Sequence, residues 1–246
     1  MLPSDVKIRL DIKKKGMELL KFSYNEDRSL SNLPETEIKE VFDRLMPQIL
    51  SLEDFVQILQ SMGVKIDLKE ETLSINDKVG LAIALVKLGA SLEEIVKYLS
   101  WQEFEFFTAN ILEENDFLTR IRYRFTFNQR RYEIDVVGLR FNLVLLIDCK
   151  HYSLGKGKTS DLRKAAEKQF IRGEAFISSI KNHNNKIPIP SNQRLRVMPL
   201  IVSWFHSFTT EESNVAVVPA FSFNSFINNL DKHIDELFFF EIFLPS

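Results

Sequence analysis

The sequence predicts an α/β domain over residues 99–246, a mixed sheet flanked by helices, behind a mainly helical module over residues 1–98. Three features predict it. Residues 141–150, FNLVLLIDCK, form a nearly continuous apolar run with a polar end, the pattern of a strand covered on both faces. Upstream, FLTRIRYRFTFN and RYEIDVVG carry the alternation of two further strands. Amphipathic helical stretches stand before and after these strands.

About 100 residues precede Trp101, room for a modest core. Residues 35–46 and 52–62 read as helices, and residues 64–75, VKIDLKEETLSI, as a two-stranded hairpin; two helices followed by a hairpin resemble a winged helix. The charge does not suit a DNA reader. Acidity is spread over Glu35, Glu37, Glu40, Asp43, Glu53 and Asp54, and no basic recognition helix stands out. Contact with a protein partner, or dimerisation, is the other reading of this module. Two short helices, residues 77–88 and 91–99 with Gly89 between them, lead into the second domain.

A helix over residues 101–114 follows, with Phe104, Phe107, Ile111 and Leu112 in its apolar stripe. It carries Glu103 and Glu105, between which the pattern does not choose, since both also suit the positive end of the helix dipole. Asn115 and Asp116 stop it. The strand over residues 117–128 places Arg120, Arg122 and Arg124 on one face, a repulsive row unless an anion or screening salt faces it. Residues 131–138 form the next strand, and Gly138, Arg140 and Asn142 supply a turn. Ser160 or Asp161 caps a helix through LRKAAEKQFIRGEAFISSIK, apolar at Leu162, Ala165, Ala166, Phe170, Ala175, Phe176 and Ile177 and basic at Arg163, Lys164, Lys168 and Arg172. Gly173 weakens that helix and permits close packing. RVMPLIVSWF and VAVVPAFSF read as two more strands and residues 226–239 as mostly helical. The terminal FFFEIF is too apolar for a free tail and should pack on the domain or on a second subunit.

The chemistry lies at the strand ends. A period of two puts Asp148 and Lys150 on one face and Cys149 on the other, and an antiparallel neighbour lets Asp135 approach Asp148. A close carboxylate pair is costly unless a cation or a proton separates the charges, so it predicts a hard divalent metal or a shared proton. His151, His183, His206 and His233 share no ligand spacing, and one cysteine makes no zinc constellation. Magnesium, with manganese as substitute, suits an all-oxygen site. Lys150 can hold a water near a scissile phosphate and stabilise the developing charge, while a metal lowers the pKa of bound water. The bland alternative is an ordinary strand end, where aspartates are common.

Taken together these residues resemble the restriction-endonuclease-like PD-(D/E)XK nuclease superfamily, in particular archaeal Holliday junction resolvases and Mrr-type restriction enzymes, over residues 99–230. The resemblance implies a restriction-endonuclease-like mixed sheet flanked by helices. It matches a helical glutamate to Glu105 in WQEFEFFTANILEENDF, the second-strand aspartate to Asp135 in YEIDVVG, and the acid-x-lysine triplet to Asp148 and Lys150 in LLIDCK. Asp148 stands where many relatives carry glutamate, the same charge on a shorter arm. As implied metal ligands it gives Glu105, Asp135, Asp148 and the backbone carbonyl of Cys149. It also puts Gln169, on the helix after the lysine strand, near the active centre; some relatives have a tyrosine four residues on, where this chain has Gly173.

Charge is distributed unevenly. From Thr119 to Leu200 there are 17 Lys and Arg against 6 Asp and Glu, an excess of +11 that the net charge of -2 for the whole chain conceals. A polyanion can use such a segment while acidic surface elsewhere limits nonspecific binding. HYSLGKGK, with Lys156 and Lys158, reads as a basic loop for a phosphate backbone, joined by Arg163 and Lys164; it lacks the spacing of a nucleotide-binding phosphate loop.

One cysteine permits no internal disulfide, no stretch is apolar enough to span a bilayer, and no secretory leader is apparent, so a cytoplasmic, nucleoid-associated protein is expected. The function expected is a magnesium-dependent DNA endonuclease, acting on branched or damaged DNA, with a homodimer as the arrangement that would cut two strands. A noncatalytic DNA-binding or genome-maintenance scaffold on the same fold is one alternative. An RNA nuclease is another, because a carboxylate centre does not choose between sugars.

Overall fold

A computed structural model describes residues 4–25, 33–34, 51–69, 72–75, 77–150, 158–181, 187–189, 192–203 and 214–245. The chain divides into two compact units, Met1–Glu103 and Phe104–Ser246.

The first unit opens on a helix that the sequence pattern does not predict, α1 (Ser4–Asn25), which buries Ile12, Leu19 and Leu20 and sets a buried Lys15 on Asp11 at 3.0 Å. The expected helix over residues 35–46 lies outside the described residues. α2 (Leu52–Ser61) starts where Ser51 Oγ accepts the Asp54 amide, and buries Phe55, Val56 and Leu59. The expected hairpin is present as β2 (Ile66–Lys69) and β3 (Thr72–Ile75). It gains a third antiparallel strand, β1 (Leu33–Pro34), against β3. α3 (Lys78–Lys87) and α4 (Leu92–Val96) follow, α3 capped by Asp77 on the Gly80 amide. α5 (Trp101–Glu113) opens with a reciprocal capping box: the Ser100 amide donates to Glu103 Oε2 at 2.6 Å and the Glu103 amide to Ser100 Oγ at 3.3 Å. Glu103 therefore serves the helix end.

The second unit is an α/β arrangement with a mixed six-stranded sheet flanked by helices. β4 (Leu118–Phe127), β5 (Arg130–Arg140) and β6 (Leu143–Lys150) form an antiparallel meander. β7 (Gln193–Ser203) joins β6 in parallel after the crossover helix α6 (Lys158–Ile180), and β8 (Ala216–Pro219) extends the parallel part. A two-residue turn with both Asn128 and Gln129 at positive φ links β4 to β5, the geometry that suits the twist of a tight hairpin. Gly138 lies inside β5, two residues short of its end, and makes no turn. A Cβ there would stand 2.8 Å from Leu112 Cδ1 of α5, while its neighbours Val137 and Leu139 join Ala175 and Phe176 of α6 in one core. α5 and α6 thus cover opposite faces of the sheet.

Two expectations change at the ends of elements. α6 begins at Lys158, so Ser160 and Asp161 lie within its first turn and do not precede it. The strand VAVVP stops at Pro219, and AFSF starts α7 (Ala220–Asn228), followed by α8 (Leu230–His233) and a 3₁₀ turn, Ile234–Glu236. FFFEIF, which should pack on the domain or on a second subunit, packs on the domain: β9 (Phe240–Leu244) pairs antiparallel with β7 and buries Ile242 and Leu244 in the α6 core. Among the described residues no helix is long and apolar enough to cross a membrane.

Candidate active site

Backbone pairing between β5 and β6 runs from Arg140 opposite Leu143 to Val136 opposite Ile147 and stops. Asp135 and Asp148 are the next residues on each strand. Where the ladder ends, a side chain takes the place of a carbonyl: the Cys149 amide donates to Asp135 Oδ2 at 2.8 Å. Burial, and next the charge of Asp148, push the Asp135 carboxyl up to about 6; the Cys149 amide and Lys150 oppose this, and Glu105 adds to it. The charges of Glu105, Asp148 and Lys150 therefore all act on Asp135.

Asp148 is 2% exposed and faces two cations, Arg172 Nη1 at 2.7 Å from Oδ1 and Lys150 Nζ at 2.6 Å from Oδ2. The second contact is an attraction of charges without hydrogen-bond angles, and Oδ2 is buried without a hydrogen bond. Gln169 is fully buried. Its Nε2 donates to the Leu146 carbonyl at 2.7 Å, and its Oε1 accepts from Arg172 at 3.2 Å. The sequence pattern places Arg172 only on a basic helix face; its helical spacing of three from Gln169 is the signal that could have brought it to the site.

Glu105 is 5% exposed and accepts from Arg122 Nε at 2.7 Å. Cys149 turns to the α5 side, its Sγ 3.6 Å from Thr108 Oγ1, and burial pushes its thiol well above the ordinary range. That leaves it a buried apolar residue and no nucleophile.

The basic row does not share one face. Thr119 donates to Glu113 of α5, whereas Tyr123 and Phe125, in the same alternation, pack on Phe176 of α6. The alternation inverts at Arg122, which has φ 53° and is skipped by a ladder that pairs Ile121 with Val136 and Tyr123 with Ile134. Arg120 and Arg124 consequently lie on opposite faces, and Arg122 is committed to Glu105. Arg124 pairs with Glu133 at 2.5 Å and, with Arg131, Tyr132 and Ser179, lines a cleft of about 610 Å³ along the hairpin. Arg163 and Lys164 are exposed on α6, Lys158 begins that helix, and Lys156 lies outside the described residues.

In kind, the oxygen donors suit a hard divalent cation, and the buried Asp148 Oδ2 is an acceptor such an ion would satisfy. In arrangement they are turned elsewhere: among the described residues no three His, Cys, Asp or Glu side chains are grouped to hold a metal ion. Glu105 faces Arg122, and Asp148 faces Lys150 and Arg172.

Fold and site together define an α/β protein whose mixed sheet opens on a cluster of carboxylates, lysine and arginine. No family model matches the chain. It is 35% identical over 141 residues to an uncharacterized protein of Archaeoglobus fulgidus, covering 57% of this chain and 99% of that one, and it belongs to the same family as that protein. Among solved structures it is similar to a protein of unknown function, AF1548, at 20% identity and a TM-score of 0.31, over 47% of this chain and 55% of that one. It is also similar to protein VC1899 from Vibrio cholerae at 12% identity and a TM-score of 0.35, over 95% of this chain and 52% of that one. The chain spans about half the length of these two solved proteins.

Proposed function

We propose that this chain is a metal-dependent nuclease of the PD-(D/E)XK kind, hydrolysing phosphodiester bonds in DNA. One observation carries the reading: Asp135 meets the Cys149 amide at the point where β5 and β6 part, under the influence of Asp148, Lys150 and Glu105. An antiparallel meander continued by parallel strands, with a helix on each face, supports the restriction-endonuclease-like form of the fold. Asp135 and Asp148, with Glu105 and the Cys149 carbonyl, would hold magnesium or manganese. Such an ion supplies a water of lowered pKa and polarises the phosphoryl oxygen. The Lys150 ammonium orients the attacking water and stabilises negative charge as it develops on the phosphoryl oxygens. Gln169, through the Leu146 carbonyl and Arg172, positions the Asp148 strand. In-line attack would leave a 3′ hydroxyl and a 5′ phosphate, and a pair of subunits would serve two strands.

A second reading is favoured by the Arg172–Asp148 pair and by the lack, among the described residues, of a three-carboxylate grouping: a DNA-binding scaffold without cleavage. One experiment separates them. Linear, branched and single-stranded DNA, and RNA, are incubated with the wild type and with Asp148→Ala in magnesium, manganese or EDTA. Cleavage that needs metal and is lost in D148A, with much of the binding kept, supports the nuclease. Binding without cleavage under every condition supports the scaffold, and cleavage confined to RNA moves the substrate.

A further inference from the structure

In the hydrolysis described above Arg172 serves only to help position the Asp148 strand, yet it makes the closest hydrogen bond to the most buried carboxylate of the site. Its Nη1 lies 2.7 Å from Asp148 Oδ1 and 3.2 Å from Gln169 Oε1, and its side chain is 28% exposed against 2% for Asp148. Asp148 thus has a cation beside each oxygen, so a further cation drawn to it meets the charge of both. Lys150 stands on the same strand, two residues from Asp148, and is the less exposed of the two at 19%. Arg172 reaches in from α6 on a long arm, and Gln169 Oε1 offers its guanidinium a second acceptor on the same helix. Gln169 is itself pinned to the Leu146 carbonyl, so that acceptor stays in place when Asp148 is given up.

We infer that Arg172 is a latch: it rests on Asp148 in the free protein and is drawn off by a phosphodiester anion, which it then binds. This rests on the nuclease reading for the location of the phosphate. A planar guanidinium pairs with a phosphate as readily as with a carboxylate, so the exchange conserves a charge-assisted pair. It also frees Asp148 Oδ1. Phosphate binding and cation binding then help each other, because an open latch favours both, and the coupling is reciprocal. Without a phosphate, Arg172 competes with any cation for Asp148.

The test is a double-mutant cycle in EDTA, where no cleavage intervenes. Affinity for a fluorescent duplex DNA is measured by anisotropy for the wild type, Asp148→Asn, Arg172→Gln and the double variant. D148N releases Arg172 and should tighten duplex binding by roughly 5- to 10-fold, in the usual range of coupling between sites. In the R172Q background the same change should have almost no effect. If Asp148 acts only as a nearby negative charge, its removal tightens binding equally in both backgrounds, and that additivity overturns the latch. Calorimetric titration with Mn²⁺ alone gives the second readout: R172Q should bind it about tenfold more tightly than the wild type, with Arg172→Lys between them. Unchanged or weaker Mn²⁺ binding by R172Q overturns the proposal as well. Cooperative unfolding of each variant shows that it is folded, and R172K keeps the cation if R172Q does not fold. Failure of the underlying reading looks different: no duplex binding by any of the four proteins, or Mn²⁺ binding indifferent to D148N.

Discussion

Arg122 reaches Glu105 Oε2 at 2.7 Å from a backbone held at φ 53°. The ion pair and the inversion of the strand are one event, because the left-handed residue carries its side chain to the face where α5 presents Glu105. An L-residue with a Cβ is strained there, and glycine is not. Arg122→Gly should therefore destabilise the protein less than Arg122→Ala, although both leave the buried Glu105 carboxylate without its guanidinium. Urea midpoints of the two variants check this. Equal midpoints would show that the backbone strain is negligible.

Asp135 supplies a pH dependence of definite sign. Its carboxyl titrates at about 6 against an ordinary 3.8, chiefly because it is buried and next because Asp148 is charged. The native protein thus holds this proton more tightly than the unfolded chain. The stabilisation is complete below the ordinary value and is lost as pH rises through about 6. The loss should be about 3 kcal/mol. Asp135→Asn keeps an oxygen for the Cys149 amide and abolishes the titration. In metal-free buffer, the stability of the wild type relative to D135N should fall across this window; parallel curves would refute the assignment.

The third strand of the meander is the most legible part of the site. Its unbroken apolar run could only be covered on both faces, and the period of two then separates Asp148 from Cys149, as the contacts with Arg172 and Thr108 show. The choice between Glu103 and Glu105 is also written in the chain. Ser100 and Glu103 spell a capping box, which occupies Glu103 and leaves Glu105 to the interior. Arg122 is not legible, since an alternation of arginines looks the same whether or not one φ inverts it. Nor is β9: the run Phe238–Phe240 has no period to show where a strand begins, and only pairing with β7 starts one at Phe240. VAVVPAFSF carries the signal of its own break at Pro219, whose fixed φ suits entry to a helix and whose missing N–H argues against a continuing strand.

Gly173 sits in the middle of α6, where helix propensity alone favours alanine by about 1 kcal/mol. A Cβ there would stand 2.7 Å from Phe240 Cε2, and Phe240 is held against both Phe170 and Phe238. Overpacking should outweigh propensity, so Gly173→Ala is expected to cost about 1–2 kcal/mol net. Phe240→Leu removes the obstructing ring edge. In that background G173A should be neutral or stabilising, and a chemical-denaturation cycle of the four proteins reads the difference. Additive costs would mean that Phe240 is not what requires glycine.

The inverted strand also redistributes the basic surface. Arg120 lies on the face opposite Arg124, whereas Arg124 and Arg131 line the same hairpin cleft. Charged groups that share a surface can follow one phosphate backbone, and they do so without reading bases. Replacing Arg124 and Arg131 together by alanine should weaken binding to unrelated DNA duplexes by similar factors. The slope of log affinity against log salt should become shallower by up to about 2, roughly one for each phosphate that is no longer neutralised. Glu133, which holds Arg124 at 2.5 Å, gives the converse: Glu133→Gln should strengthen binding, because it removes a negative charge and releases the guanidinium. Anisotropy titrations over a range of salt, on two unrelated sequences, test both directions. An unchanged slope in the double alanine variant, or a weakening confined to one sequence, would mean that the cleft faces solvent only.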